Sequence, residues 1–298
     1  MCATNGHPPS DLCTRDSGSD AASESESDAT SHPMEERQPV YTPQEMGAML
    51  LSFYRFLTTL HYNVADLKVP PPEGWPGFTP EACAHFRGNY AIQVLRHLPY
   101  LNSSASFQYK CKLLDYTIFE YRHFSSRHQD KDQEEWWSTE SRVPTSWMVP
   151  LAAACGNGGS KFFLNVVDGE VNEIILSSST PGPMPLKTWI DEMQDAYSRL
   201  HLIPCPGRVT LDCRDVLERE ERDGRITEDQ FREQTEDWPT ELDVQYVRQV
   251  YRDYGWPHDF RRDEATTYLS ELLVSIEEEN DDRYWEETSR HDDPRQWT

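Results

Sequence analysis

The sequence predicts an α+β fold with a mainly antiparallel sheet flanked by helices and a helical C-terminal extension. The first observation is a hairpin signal within Val149–Leu176, and the second is a set of amphipathic helical patterns on both sides of it. Asp168-Gly169 lies between two apolar runs, and this dipeptide favours a two-residue type I′ turn because both residues tolerate a positive φ. Strands joined this tightly find each other without help from distant segments, so the hairpin is predicted to nucleate the sheet.

The glycines just upstream of this hairpin are predicted to shape a turn. Gly156, Gly158 and Gly159 lie between an apolar run and the predicted strand that begins at Phe162. The segment does not have the spacing of a phosphate-binding loop, and it leads into a strand where such a loop needs a helix N-terminus. We therefore predict that these glycines, with Asp168 and Gly169, are structural.

Helical patterns account for much of the remaining chain. Thr42 and Glu45 are spaced as a capping box around Pro43, and apolar residues at helical spacing follow from Met46 to Leu60. Further helices are predicted at Tyr90–Leu98, Leu186–Leu202, Asp212–Arg222, Glu228–Glu236, Glu241–Tyr254 and Asp263–Glu279.

Ile203–Arg208 (IPCPGR) is predicted to be an internal boundary, because its two prolines and one glycine end the preceding helix. Only helices are expected after it. The predicted organisation is a disordered acidic arm (1–38), an α+β core (40–202), a helical extension packed on the core (208–279) and an acidic tail (280–298).

Charge restricts the partners. The 298 residues include 28 Lys and Arg against 52 Asp and Glu, a formal net charge of −24. Such a chain repels phosphate backbones and anionic membrane surfaces. We therefore expect partners that are other proteins, with either a basic surface or no charged partner at all, and we expect neither nucleic acid nor membrane.

The acidic arm contains too few apolar residues to offset the entropy of ordering it. Ser17, Ser23 and Ser25 each have an acidic residue three positions later, which makes them candidate phosphorylation sites for an acid-directed kinase. The alternative is that the arm serves only as a solubilising tail.

The cysteines indicate an intracellular protein. There are seven, scattered along the chain without a CxxC pair, as is typical of reduced thiols. No apolar run approaches a membrane span, and no secretory signal is recognisable. The expected location is the cytoplasm, with the nucleus as an open alternative.

One segment imitates a calcium-binding loop. Gly224 and Ile226 match the centre of such a loop, but the register places Arg219 at its first position and Gln230 at its last. Thr227 and Gln230 are better explained as a capping box, with Gly224 ending a preceding helix. We assign no metal, no cofactor and no catalytic residue.

Residues Val143–Leu202 resemble the C-terminal half of the SUKH superfamily. The similarity lies in the order of Gly-Asn-Gly-Gly, Phe-Phe-Leu-Asn-Val, Asp-Gly-Glu-Val, a polar loop and a helix of the LKTWIDEM type. This superfamily includes Smi/Knr-type cell-wall regulators of fungi and immunity proteins of bacterial toxin systems. The resemblance implies an α+β fold and a non-catalytic protein-binding role, and it supplies no catalytic residues.

Three hypotheses for function follow. The first is a non-catalytic intracellular interaction or regulatory scaffold, of the cell-wall or signalling regulator type that the resemblance implies. The second is an enzyme with a dispersed site that uses His97, His123 and Cys155. The third is a calcium sensor.

Overall fold

The fold is α+β, as the sequence predicts. The computed structural model describes residues 37–80, 88–101, 109–110, 145–153, 160–175, 181–220 and 224–286. The chain divides into two units, residues 1–37 and residues 38–298. The predicted acidic arm lies outside the described residues up to 36.

The described residues form six α-helices and nine strands. The helices are α1 (Pro43–Leu60), α2 (Asn89–His97), α3 (Leu186–Ser198), α4 (Glu228–Arg232), α5 (Glu241–Asp253) and α6 (Arg262–Glu279). The strands are β1 (Leu67–Lys68), β2 (Tyr100–Leu101), β3 (Tyr109–Lys110), β4 (Met148–Ala153), β5 (Ser160–Asn165), β6 (Glu170–Ile175), β7 (Met184–Pro185), β8 (Leu202–Cys205) and β9 (Arg208–Asp212).

The strands form three small sheets. The largest is antiparallel throughout, with the strand order β4-β5-β6-β7. A second sheet has the order β3-β9-β8, in which β3 is parallel to β9 and β8 is antiparallel to it. The third pairs β1 with β2.

The apolar stripe of α1 packs into the main core. Its capping box is present, since Thr42 accepts from the Glu45 amide and Glu45 reaches back to the Thr42 amide. Phe53 of α1 and Phe162 of β5 both contact the Trp189 ring of α3, with ring centroids 5.9 and 5.6 Å away. The sheet and both helices therefore share one core.

The β5–β6 hairpin is present, but its turn differs from the prediction. Asn165 pairs with Glu170, so four residues form the connection, and only Gly169 has a positive φ, of 66°. The Asn165 side chain accepts from the amides of Val167 and Asp168 and donates to the Asp168 carboxylate at 2.7 Å. This side chain organises a longer turn, which is why the predicted two-residue type I′ geometry is wrong.

The β5–β6 turn also binds the segment before α1 and the start of α3. The Gly169 carbonyl accepts from the Leu186 amide at the start of α3, at 2.8 Å, and Val167 accepts from Val40, at 3.0 Å. A Cβ at Gly169 would lie 2.7 Å from the Tyr41 ring. Gly169 is thus required both for its φ and for this close approach.

The segment Ile203–Arg208, which was predicted to be an internal boundary, is part of a β-hairpin, and the expectation that only helices follow it is wrong because β9 comes next. Pro206-Gly207 joins β8 to β9 in a two-residue turn, with φ of 79° at Gly207 as a type II turn requires. Pro204 is accommodated because β8 lies at an edge of its sheet. The prolines shape this hairpin, and residues 38–298 form one compact unit.

Two further predictions for the C-terminal part need correction. No helix occupies the described part of Asp212–Arg222, where β9 ends and residues 213–220 follow without helical structure. The acidic tail does not begin at residue 280, because Arg283 and Trp285 are 0% and 1% exposed. The remaining C-terminal helices are found near their predicted positions, although α4 is shorter and α3 ends at Ser198.

At Gly47, α1 passes close to the C-terminal end of α2. A Cβ built at Gly47 would lie 2.2 Å from the carbonyl oxygen of His97. We expect Gly47→Ala to lower the free energy of unfolding by about 1–2 kcal/mol, since overpacking costs about 1–3 kcal/mol and exceeds the helix-propensity gain of up to about 1 kcal/mol. Urea unfolding followed by circular dichroism measures the change.

The matched control is Gly77→Ala, because a Cβ at Gly77 would meet nothing within 4 Å. It should leave the unfolding midpoint unchanged. Equal midpoints for the two variants would show that α1 and α2 are not packed in this way.

Candidate functional site

The end of α3 is a junction between the sheet and the C-terminal helices. Leu200 has a φ of 56°, and the bonds from Leu200 to Tyr197 and from His201 to Ala196 form a Schellman motif. Glycine is usual at this position because a side chain is strained there. Leucine is tolerated here because its side chain is fully buried in the core.

Three side chains from α5 and the turn after it donate to the carbonyl groups at this junction. Trp256 Nε1 donates to Tyr197 at 2.9 Å, Arg252 Nη1 to Ser198 at 3.0 Å and Arg248 Nε to Leu200 at 3.1 Å. A helix C-terminus leaves carbonyl groups without partners and carries partial negative charge. The two guanidinium groups therefore provide both the donors and the favourable charge.

Arg248 is buried, and its recorded partners are backbone carbonyls and a thiol. Besides Leu200, it donates to the carbonyls of Val216 and Cys213, at 2.7 and 3.0 Å, and its Nη2 lies 3.5 Å from Cys213 Sγ. The side chain is 1% exposed. One guanidinium thus joins α5, the end of α3 and the chain that follows β9.

A segment that we call the strap (residues 213–220 and 224–226) is held against α5 by two glutamines. Gln245 donates to the Leu217 carbonyl at 2.5 Å and accepts from the Arg219 amide at 3.1 Å. Gln249 pairs with both backbone groups of Ile226, at 2.9 and 3.1 Å. Each amide side chain binds backbone groups of the strap as a neighbouring strand would, and these bonds hold the strap against α5 without helical structure.

Arg252 joins the strap to the junction as well. Its Nε and Nη2 bind both oxygens of Glu218, at 3.0 and 2.9 Å. Burial alone would raise the pKa of Glu218, but the hydrogen bonds and charge of Arg252, with Arg248 nearby, lower it below its ordinary value.

The C-terminal segment packs against the loop before α5. Arg283 and Asp243, both fully buried, form an ion pair at 2.5 Å, and Arg283 also donates to the carbonyls of Phe231 and Gln234. Trp285 stacks on Trp238 with ring centroids 5.3 Å apart. Removing one partner of a buried ion pair is strongly destabilising, so this contact fixes residues 280–286 in place.

These contacts bring two acidic segments together on the surface. The Trp238 amide donates to the Asp282 carbonyl, which places Glu236 and Asp237 beside Asp281 and Asp282. All four of these residues are exposed, and we call them the acidic surface. Exposed carboxylates of Glu233, Glu241, Glu278, Glu279 and Glu286 follow nearby in sequence.

The arginines of residues 224–286 are all engaged within the chain. This stretch contains eighteen Asp and Glu, seven Arg and no Lys. Five arginines form ion pairs with carboxylates at 3.4 Å or closer, a sixth, Arg261, lies 3.7 Å from Glu264, and Arg248 binds carbonyls. Internal pairing therefore leaves a surplus of carboxylates on this part of the molecule.

Burial makes the two described thiols harder to deprotonate and the buried imidazole harder to protonate. Burial raises the pKa of Cys205 to about 12 and raises that of Cys213 as well. Burial, with Arg262 nearby, lowers the pKa of His61 well below its usual value. A thiol must ionise to act as a nucleophile, so neither described cysteine is suited to that role.

The sequence candidates are not brought together in the described residues. His97 Nδ1 lies 2.8 Å from the Gln93 carbonyl, and its Nε2 lies 3.3 Å from Gln44 Nε2. His123 and Cys155 lie outside the described residues. The same is true of Ser17, Ser23, Ser25, Gly156, Gly158 and Gly159.

No family model, curated protein or solved structure matches this chain. The SUKH resemblance stays a prediction from the sequence. Within the described ranges, no group of three or more His, Cys, Asp or Glu residues is placed to hold a metal ion. None of the helices described is both long and apolar enough to cross a bilayer.

The calcium-like segment is a helix start in the structure. Thr227 caps α4, and its capping box with Gln230 is complete, as predicted. Gly224 has the predicted positive φ, of 76°, but the residues described before it form no helix for it to end.

The residues that hold the junction were missed from the sequence. Gln245, Arg248, Gln249 and Arg252 have the spacing i, i+3, i+4 and i+7, which places them on one face of α5. Such a polar stripe usually faces solvent. In this structure the polar stripe faces the protein instead. The sequence feature that could have indicated this is that the remaining positions of α5 are also rich in apolar residues.

Replacing Arg248 should separate the elements that it joins. We expect Arg248→Met to lower the free energy of unfolding by about 3–5 kcal/mol, because three carbonyls lose a donor and each unsatisfied buried acceptor costs about 1–3 kcal/mol. Arg248→Lys should fall between this variant and the wild type, since an ammonium lacks the planar fork. Guanidinium chloride unfolding measures both.

Arg225→Met is the control, because it breaks an ion pair with Asp253 in which Arg225 is 66% exposed. It should change stability by less than about 1 kcal/mol. If the Arg248 and Arg225 variants were equally stable, Arg248 would not hold α5, the end of α3 and the chain after β9 together.

Proposed function

We propose that this chain is a non-catalytic interaction or regulatory protein of the cytoplasm that binds a partner with a basic surface. The observation that carries the proposal is the internal use of the arginines. All seven arginines in residues 224–286 have partners within the chain, whereas the carboxylates exceed them by more than two to one. Such a surface favours a positively charged protein and disfavours anionic partners.

Two further observations support the proposal. The acidic surface is rigidly held, since a buried ion pair and a tryptophan stack fix the segments on which it lies. A pre-ordered surface loses little conformational entropy on binding. The SUKH resemblance, which implies protein binding in cell-wall or signalling regulation, points in the same direction.

Charge reversal on the acidic surface tests this function. The variant carries Lys at Glu236, Asp237 and Asp282, and the control carries Lys at Asp191, Glu192 and Asp195, exposed residues of α3. Both add six units of positive charge to the chain. Native crosslinking mass spectrometry of the full chain, with each variant, identifies the partners and the residues that contact them.

We expect crosslinks from the acidic surface to lysine-rich or arginine-rich partner surfaces. The reversal variant should lose these partners, the α3 control should keep them, and raising the salt concentration should weaken them because exposed charges are screened. Equal retention by both variants, or partners that crosslink only elsewhere, would rule out the acidic surface as the binding site.

A further inference from the structure

A cleft lies between the strap and the C-terminal half of α5. Its volume is about 650 Å³, within the range of about 300–1,000 Å³ typical of small-molecule sites. The described lining residues are polar or charged apart from one glycine and one isoleucine. They are Glu218, Arg219, Glu220, Gly224, Arg225, Ile226, Gln245, Arg248, Gln249, Arg252 and Asp253.

The charge of this lining is opposite to that of the chain. Among the described residues, four arginines and three carboxylates line the cleft, whereas the whole sequence has a net charge of −24. Cationic side chains are scarce in this protein, and four of its 28 Lys and Arg meet here. The cleft is therefore a local site of positive charge.

The most buried of these positive charges is that of Arg248, on the inner wall of the cleft. Arg248 is 1% exposed, and its recorded hydrogen bonds go to three carbonyls and a thiol rather than to a carboxylate. Carbonyl groups satisfy its N–H groups but do not neutralise its charge, and a desolvated charge is costly without a counter-ion. The nearby Glu218 is already bound by both nitrogens of Arg252 that face it.

We propose that this cleft binds a small ligand through a phosphate group. A phosphate ester carries about −1.5 to −2 charges and three acceptor oxygens, and guanidinium groups bind it through paired hydrogen bonds. The anion supplies the counter-charge for Arg248, and Arg225 contacts it at the cleft mouth. The glutamine amides and Ile226 face the remainder of the ligand.

This inference goes beyond the proposed function and does not depend on it. The acidic surface adjoins the N-terminal end of α5, whereas the cleft lies along α5 from Gln245 to Asp253. Reversing charge on the acidic surface leaves the lining of the cleft unchanged, so each proposal fails or stands by its own measurement.

Pyrophosphate is the probe, titrated into the full chain by calorimetry with sodium chloride at matched ionic strength as the reference. We expect saturable binding by the wild type and a rise in the thermal midpoint, as binding to the folded state requires. Arg225→Gln should weaken binding at least tenfold. It removes one contact and releases the Asp253 carboxylate beside the anion.

Arg214→Gln is the matched control, because Arg214 is also an exposed arginine of the strap that is paired with a carboxylate, Asp212, and it is not in the lining. It should bind pyrophosphate as the wild type does. Absence of saturable binding by the wild type, or the same loss of affinity in the Arg214 and Arg225 variants, would overturn the proposal.

Discussion

The structure depends on how the carbonyl groups at the end of α3 are satisfied. α3 ends in a Schellman motif whose carbonyls accept from Trp256, Arg252 and Arg248. A buried helix end without partners would be strongly destabilising, so the end of α3 needs α5 beside it. In turn, Arg248 needs those carbonyls, because they are the acceptors that allow a guanidinium to be buried. The sheet and the C-terminal helices therefore stabilise each other through one junction.

This use of arginine determines the surface. Guanidinium groups that might have faced solvent are turned inward, to helix carbonyls, to Glu218 and to Asp243. The carboxylates that remain outnumber them, and the four of the acidic surface lie on segments held by Arg283 and Trp285. Stability and binding character thus arise from the same placement of charge. The cleft beside α5 differs from this acidic surface, since four arginines line it.

The features that were predicted correctly depend on contacts between residues close together in the sequence. The capping boxes at Thr42 and Thr227 involve residues three positions apart, and the strands of the β5–β6 hairpin are joined by four residues. The features that were missed depend on contacts between residues far apart in the sequence. The strap is held in a non-helical path by glutamines more than twenty residues later, and Trp285 is buried where it stacks on Trp238. At Ile203–Arg208, prolines typical of a boundary instead form a hairpin turn, and β9 of this hairpin pairs with β3, which is about a hundred residues earlier in the sequence.

The central claim is that the α3 junction makes the sheet and the C-terminal helices one cooperative unit. Native-state hydrogen exchange, measured across a series of denaturant concentrations, tests it most directly. We predict that amides of β5, α3 and α5 exchange through a common opening, with the same free energy and the same denaturant dependence. If α5 and α6 opened at clearly lower free energy while α3 and the sheet stayed protected, the C-terminal helices would be an independent extension and the claim would be wrong.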